Sequence, residues 1–259
     1  NASAAVLATA ADAHLQNGQL AEAEVLYTRA AKIAPDDTKI KTALALAQIV
    51  KGNTEGGFAE LESIAARDVG TYTDMALVSA RLRQRNFAGA LLALDRMQGK
   101  QPTNAVPHHI RGQILVQRKD YAAARASFEK ANALDPRYFP ALASLVDLDV
   151  HDKKPEAAIA RMEAELSREP RNYQALGTLA SLRQKTGATP ESVKNLLTAA
   201  VKASPDQLAP RMLLGEYLLS INDYKGARAT AQEATANMPG ELQLVDLLGR
   251  AQLAAGDAQ

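Results

Sequence analysis

Four histidines, His14, His108, His109 and His151, are the first candidates for chemistry in this chain. An imidazole can act as a general base or a metal ligand near neutral pH. The adjacent pair His108–His109 would supply half of a metal site, but neighbouring residues on a helix point about 100° apart and do not readily face one ion. His14 falls at a core position of its helical pattern. All four therefore read as structural or solvent-facing. The stretches DVHDKKPE (149–156) and RMEAELSREPR (161–171) set carboxylates beside bases, as acid–base catalysis requires. They sit at turns and on an outer helix face, which reads as solvated surface. GNTEGGF (52–58) is glycine-rich but follows no strand, so it does not read as a phosphate cradle. Tyr27, Tyr121 and Phe128 are spaced like packing residues rather than ligand-stacking ones. No P-loop, GxGxxG, HExxH, GxSxG or EF-hand pattern occurs. With no cysteine there is no thiolate metal site, disulfide or cysteine nucleophile. The expectation is a non-enzyme with no cofactor and no metal.

Charge narrows the partners. Lys and Arg number 30 against 29 Asp and Glu, without a basic stripe, which argues against nucleic acid. No polybasic run points to a membrane surface, and no apolar run approaches the roughly 18–20 residues of a membrane span. The 259 residues, 47% hydrophobic and 23% charged, can bury a substantial core. The chain opens NASAAVLATAADAH, without an initiator Met or signal peptide, and closes GRAQLAAGDAQ within a helical pattern. It reads as a fragment of a longer protein.

The elements that would position any site follow from RGQILVQRKDYAAARASFEKANALDP, residues 111–136. Gly112, Ile114 and Leu115 lie on one side of a first helix. RKDY is a polar break. Ala124, Phe128 and Ala131 recur at i, i+4 and i+7, the face of a second helix. The Asp–Pro pair then stops that helix, because a residue before proline avoids the helical region. The same spelling returns around Tyr27, Phe87 and Tyr224. The closing prolines are Pro35, Pro102, Pro136, Pro170, Pro205 and Pro239, separated by 67, 34, 34, 35 and 34 residues. A sustained 34-residue period is the tetratricopeptide (TPR) signature. Seven repeats follow, at 4–37, 38–70, 71–104, 105–138, 139–172, 173–207 and 208–241, with half a repeat at 242–259. Each holds an A helix, a turn and a B helix, and the turns read NGQL, KGNT, QRNF, RKDY, DKKP, TGAT, NDYK and AGDA. Small residues such as Gly112, Ala124 and Ala131 let helices approach, and Tyr121 and Phe128 fill the gaps. The fold expected is all-α, a single right-handed α–α superhelix over 1–259.

Three places depart from the pattern. Repeat 2 puts Gly56 and Gly57 at the start of its B helix and lacks the closing proline, which predicts a looser or kinked repeat. Repeat 6 has one extra residue, with Pro190 suited to the first turn of its B helix. The half repeat exposes Val245, Leu248 and Leu253, a sign of truncation or of a partner.

The longer wording carries a closer resemblance. YAAARASFEKANALDPRYFPALASLVDLDVHDKKPEAAIARMEAEL, ALGTLASLRQKTGATPESVKNLLTAAVKASPDQLAPRMLLGEYLL and LLGRAQLAAGD are similar to segments of the TPR-repeat lipoproteins of PEP-CTERM/exosortase systems. The resemblance spans about 1–259. It implies the Gram-negative cell envelope, a periplasmic setting near exopolysaccharide export, and an N-terminal lipid anchor borne on a cysteine that this chain lacks. It implies no biochemical activity.

In such a solenoid the A helices line the concave face through roughly the second, fifth, ninth and thirteenth position of each repeat. Here these include Tyr72, Met75, Ser79, Arg83, His109, Gln113, Gln117, Asp147, His151, Gln174, Ser181, Lys185, Met212 and Glu216. His108 falls where many TPRs place a large aromatic residue. The carboxylate clamp of chaperone-binding TPRs is missing, since Ala8, Asp12, Thr42 and Leu46 stand at the relevant positions of repeats 1 and 2. An EEVD-type tail is therefore not the expected ligand. A lining of amides, hydroxyls, two Met and one Tyr suits an extended protein or peptide segment, or a polysaccharide held by hydrogen bonds and stacking. The first reading is a non-catalytic scaffold for protein partners in the envelope; the second is direct carbohydrate binding.

Overall fold

The computed structural model describes residues 2–256; residues 1 and 257–259, which the expected solenoid and the last half repeat include, lie outside the described residues. The described residues form fifteen α-helices and no strand. They fall into two compact units divided between Tyr138 and Phe139, the boundary read between repeats 4 and 5. The first unit holds α1 (Ala4–Gln16), α2 (Leu20–Ile33), α3 (Thr38–Lys51), α4 (Thr54–Arg67), α5 (Tyr72–Arg83), α6 (Phe87–Lys100), α7 (Ala105–Gln117) and α8 (Tyr121–Leu134). The second holds α9 (Phe139–His151), α10 (Pro155–Arg168), α11 (Tyr173–Lys185), α12 (Pro190–Ala203), α13 (Leu208–Ser220), α14 (Tyr224–Asn237) and α15 (Leu242–Ala255).

Local chemistry sets the bounds. Every B helix followed by a closing proline ends two residues before it, at Ile33, Lys100, Leu134, Arg168, Ala203 and Asn237. The residue between is pushed off helical geometry, as at Asp135 with φ −137° and ψ 94°. The turn between A and B helix places one residue in the left-handed region, always the fifteenth of its repeat. Gly18, Gly52, Gly187 and Gly256 adopt it without a Cβ penalty, whereas Arg85, Lys119, Lys153 and Asn222 adopt it with one. Pro190 and Pro155 open their helices, and Thr189 caps α12 by accepting from the Ser192 amide at 3.4 Å.

The B helix of repeat 2 is unbroken: α4 runs through Gly56 and Gly57. A Cβ at Gly57 would stand 2.7 Å from the Ala45 carbonyl oxygen and 2.5 Å from Ile49 Cγ1, so this glycine permits close approach to α3. Phe58, Leu61 and Ala65 of α4 join Leu77, Val78, Leu94, Met97 and Ile114 in one core cluster. In place of a closing proline, Asp68 turns the chain by accepting from the Gly70 amide at 3.0 Å.

The packing rule read at residues 111–136 holds. Gly112 lies so close to Phe128 that a Cβ would fall 2.3 Å from the ring, and Ala124 and Ala131 are fully buried. The first unit also buries a carboxylate. Asp74, with no exposed surface, accepts from Arg96 Nε at 2.8 Å and Lys100 Nζ at 2.6 Å. Lys100 donates as well to the carbonyls of Ala65 and Gly70, at 2.7 and 2.9 Å. This cluster ties α4, α5 and α6 together.

Candidate functional site

The A-helix positions separate by depth. The ninth and thirteenth residues are mostly exposed: Arg83, Gln113, Gln117, Asp147, His151, Ser181, Lys185 and Glu216 all reach solvent, as do Tyr72 and Gln174 at second positions. Ser79 is half-buried.

The fifth positions turn inward, which corrects part of the expected lining. Helices α3 and α5 lie side by side, so a fifth-position side chain there meets the neighbouring A helix. Thr42, a fifth residue, is fully buried and hydrogen-bonded to Thr73 of α5 at 2.8 Å. His109 is only 7% exposed and belongs to the core, not to a groove. Its ring packs tilted on Phe128 at 5.5 Å and edge-on to Tyr138 at 5.3 Å, and its Nδ1 lies 3.1 Å from the Tyr138 hydroxyl. Burial holds its pKa below the ordinary imidazole value. Met75 and Met212 are half-buried, Met75 against the core cluster around Leu77 and Leu94.

Charges on the exposed positions interact along the stack. Burial raises the Asp147 pKa, and the charge of Lys185 opposes that shift. Glu216 lies 3.4 Å from Arg250 Nη2, which joins the ninth residues of α13 and α15. Burial and the charges of Lys130 and Arg111 lower the His108 pKa. Among the described residues no group of three or more His, Asp or Glu is placed to hold a metal ion. No described helix is long and apolar enough to cross a membrane.

One concavity brings together two of the expected residues. In the second unit a cleft of about 240 Å³ opens between α11 and α13. Ala180, Val193 and Leu197 form its floor, and Leu213, Ser181, Gln184, Glu216, Tyr217 and Ser220 form its walls. Of the expected lining it brings together Ser181 and Glu216. Ser220 occupies a thirteenth position and follows from the same rule. Gln184 and Leu213 lie at a twelfth and a sixth position, which come into view only once the rotation of each helix is known. Leu213 remains 42% exposed at the mouth. The arrangement has an apolar floor and a polar rim, a combination that can bind.

Tetratricopeptide-repeat family models match the chain, one over residues 4–49 and another over 75–138 and 178–241. Curated proteins give no match by sequence. Among solved structures, a tetratricopeptide repeat protein from Parabacteroides merdae is similar with a TM-score of 0.55 at 16% identity, over 95% of this chain and 97% of that one. Yeast Tom70 gives a TM-score of 0.65 at 15% identity, over 91% of this chain and 53% of its own. PilW, a type IV pilus biogenesis factor, gives 0.52 at 18% identity, over 82% of this chain and 99% of its own. At these identities the likeness carries the fold alone.

Proposed function

The chain belongs to the tetratricopeptide-repeat family, and on that premise we propose that it is a non-catalytic scaffold holding protein or peptide partners on the exposed positions of its A helices. One observation carries the reading. Within each unit, most of the ninth and thirteenth positions from Arg83 to Ser220 are polar and face solvent, and in the second unit an apolar-floored cleft opens beside Ser181 and Glu216. A surface of that composition makes hydrogen bonds and accepts an anchor side chain, which is how a peptide is held.

We place the scaffold in the bacterial envelope, in exopolysaccharide export or the sorting of PEP-CTERM proteins, anchored in the full-length protein by an N-terminal lipid. The support is the sequence resemblance over residues 121–166, 175–219 and 247–257. A clean deletion in the host should impair polysaccharide export or the localisation of sorted proteins. If both are unchanged, the envelope role is wrong.

In-cell photo-crosslinking tests the scaffold. A photoreactive residue at Gln113, and another at Gln184, should each capture a discrete protein; one at exposed Glu129 of α8 should not. Captured polysaccharide in place of protein would move the chain to carbohydrate binding. Capture from position 129 alone would overturn the assignment of the A-helix face.

A further inference from the structure

The polarity of the cleft between α11 and α13 selects its ligand. Ser181 Oγ donates to the Gly177 carbonyl at 3.1 Å, and Ser220 Oγ donates to the Tyr217 carbonyl at 2.6 Å. Tyr217 Oη donates to the Pro190 carbonyl at 3.1 Å. A hydroxyl has one hydrogen. All three hydroxyls donate to the protein's own backbone, and while they do so their oxygens meet a ligand as acceptors. The Glu216 carboxylate is a fourth acceptor. Of the polar groups in the lining, the Gln184 amide keeps hydrogens to offer.

The carboxylate is available. Its pairing with Arg250 is long, at 3.4 Å, and both side chains are about half exposed, the kind of ion pair that holds weakly. Arg250 has a second and closer partner in Asp246, at 2.9 Å, and does not depend on Glu216. Below this acceptor rim the floor is apolar, with Leu213 at the mouth.

An aliphatic surface leading to a ring of acceptors and a replaceable carboxylate matches a long side chain with a hydrocarbon stem and a cationic head. We propose that this cleft takes a lysine or arginine side chain of the partner peptide. The stem lies along Leu213 and Leu197, and the head donates to Glu216 and to the hydroxyl oxygens of Ser181 and Ser220. An acidic residue would meet acceptors and a like charge. An apolar residue would strip water from acceptors and give no donor in return. The inference rests on the scaffold reading and adds which residue of the partner the second unit reads.

The test is selection of a random phage-displayed peptide library on the whole chain, wild type and Glu216→Lys. Glu216 is solvent-exposed, and circular dichroism confirms that the variant folds. Wild-type protein should enrich peptides with Lys or Arg at one position. Their affinity should fall about tenfold or more on Glu216→Lys. Replacing that basic residue by norleucine should cost a similar factor on wild type and no further loss on the variant. Enriched peptides with an apolar or acidic residue there, or an affinity indifferent to Glu216, would overturn the proposal. So would peptides whose chemical-shift footprint misses Ser181, Leu213 and Ser220, although that result leaves the scaffold standing. A library that yields no binder overturns both.

Discussion

Two Gly→Ala substitutions should move stability in opposite directions. At Gly112 a Cβ would stand 2.3 Å from Phe128 Cε1, 2.5 Å from Cδ1 and 2.8 Å from Cζ. The ring cannot swing aside, because Phe128 is 2% exposed and packs on His109. Forcing a methyl into a full core costs about 1–3 kcal/mol. The better helix propensity of Ala returns about 0.5–1 kcal/mol. Gly112→Ala should therefore destabilise the first unit by about 1–2 kcal/mol. Gly99 lies in the last turn of α6 with nothing within 4 Å of a built Cβ. There Gly99→Ala keeps the propensity gain, about 0.5 kcal/mol so near a helix end. Urea unfolding followed by far-UV circular dichroism gives both values. Amide hydrogen exchange should locate the Gly112→Ala loss in α7 and α8. If Gly112→Ala is as stable as wild type, the close approach does not set the α7–α8 packing. If Gly99→Ala is destabilising, the open space assigned to that site is wrong.

Other consequences are smaller in scope. Asp74→Ala removes the buried carboxylate shared by Arg96, which keeps Glu62 at 2.8 Å, and Lys100, which keeps two backbone carbonyls, and should cost about 1–3 kcal/mol in urea unfolding; no measurable loss would mean the cluster is well hydrated. Gly187→Ala, at φ 83°, should lower stability by about 1 kcal/mol, whereas Lys153→Gly at the equivalent turn position should raise it or leave it unchanged in a thermal melt. His109 has a folded pKa below its unfolded value because burial disfavours the charged ring. Its contribution is therefore complete above an unfolded pKa of about 6.5 and is lost as pH falls through the lower folded value. His108 shifts the same way. Stability measured between pH 7 and 5 should fall, and His109→Gln should flatten part of that slope; an unchanged slope would remove His109 as a cause.

How far the sequence can be read depends on range. Helix ends and turns answer to residues within a few positions. Pro136 stops α8 whatever packs around it, Pro190 starts α12, and the fifteenth residue of each repeat must turn left-handed. Their recurrence every 34 residues is enough to place the A and B helices along the chain. Gly57 shows the limit of that reasoning. By propensity it weakens a helix, but the nearby Ala45 carbonyl makes a glycine the fitting residue there.

The sequence by itself thus determined the repeat, its helices, and which positions carry small residues and which large ones; that Gly112 meets Phe128 is a fact of the tertiary structure. The tertiary structure decided which side of each A helix remains in water. A fifth-position residue such as His109 or Thr42 is polar and looks like lining, but its environment comes from residues distant in sequence, Phe128 and Tyr138 for His109 and Thr73 for Thr42. The same dependence hid the Asp74 cluster, whose cations follow it by 22 and 26 residues. It also hid the cleft, whose walls belong to α11 and α13 and whose floor belongs largely to α12. Side-chain periodicity specifies a face only relative to its own helix axis. The rotation of that axis against its neighbours is set by packing, and packing is a property of residues that are distant in sequence.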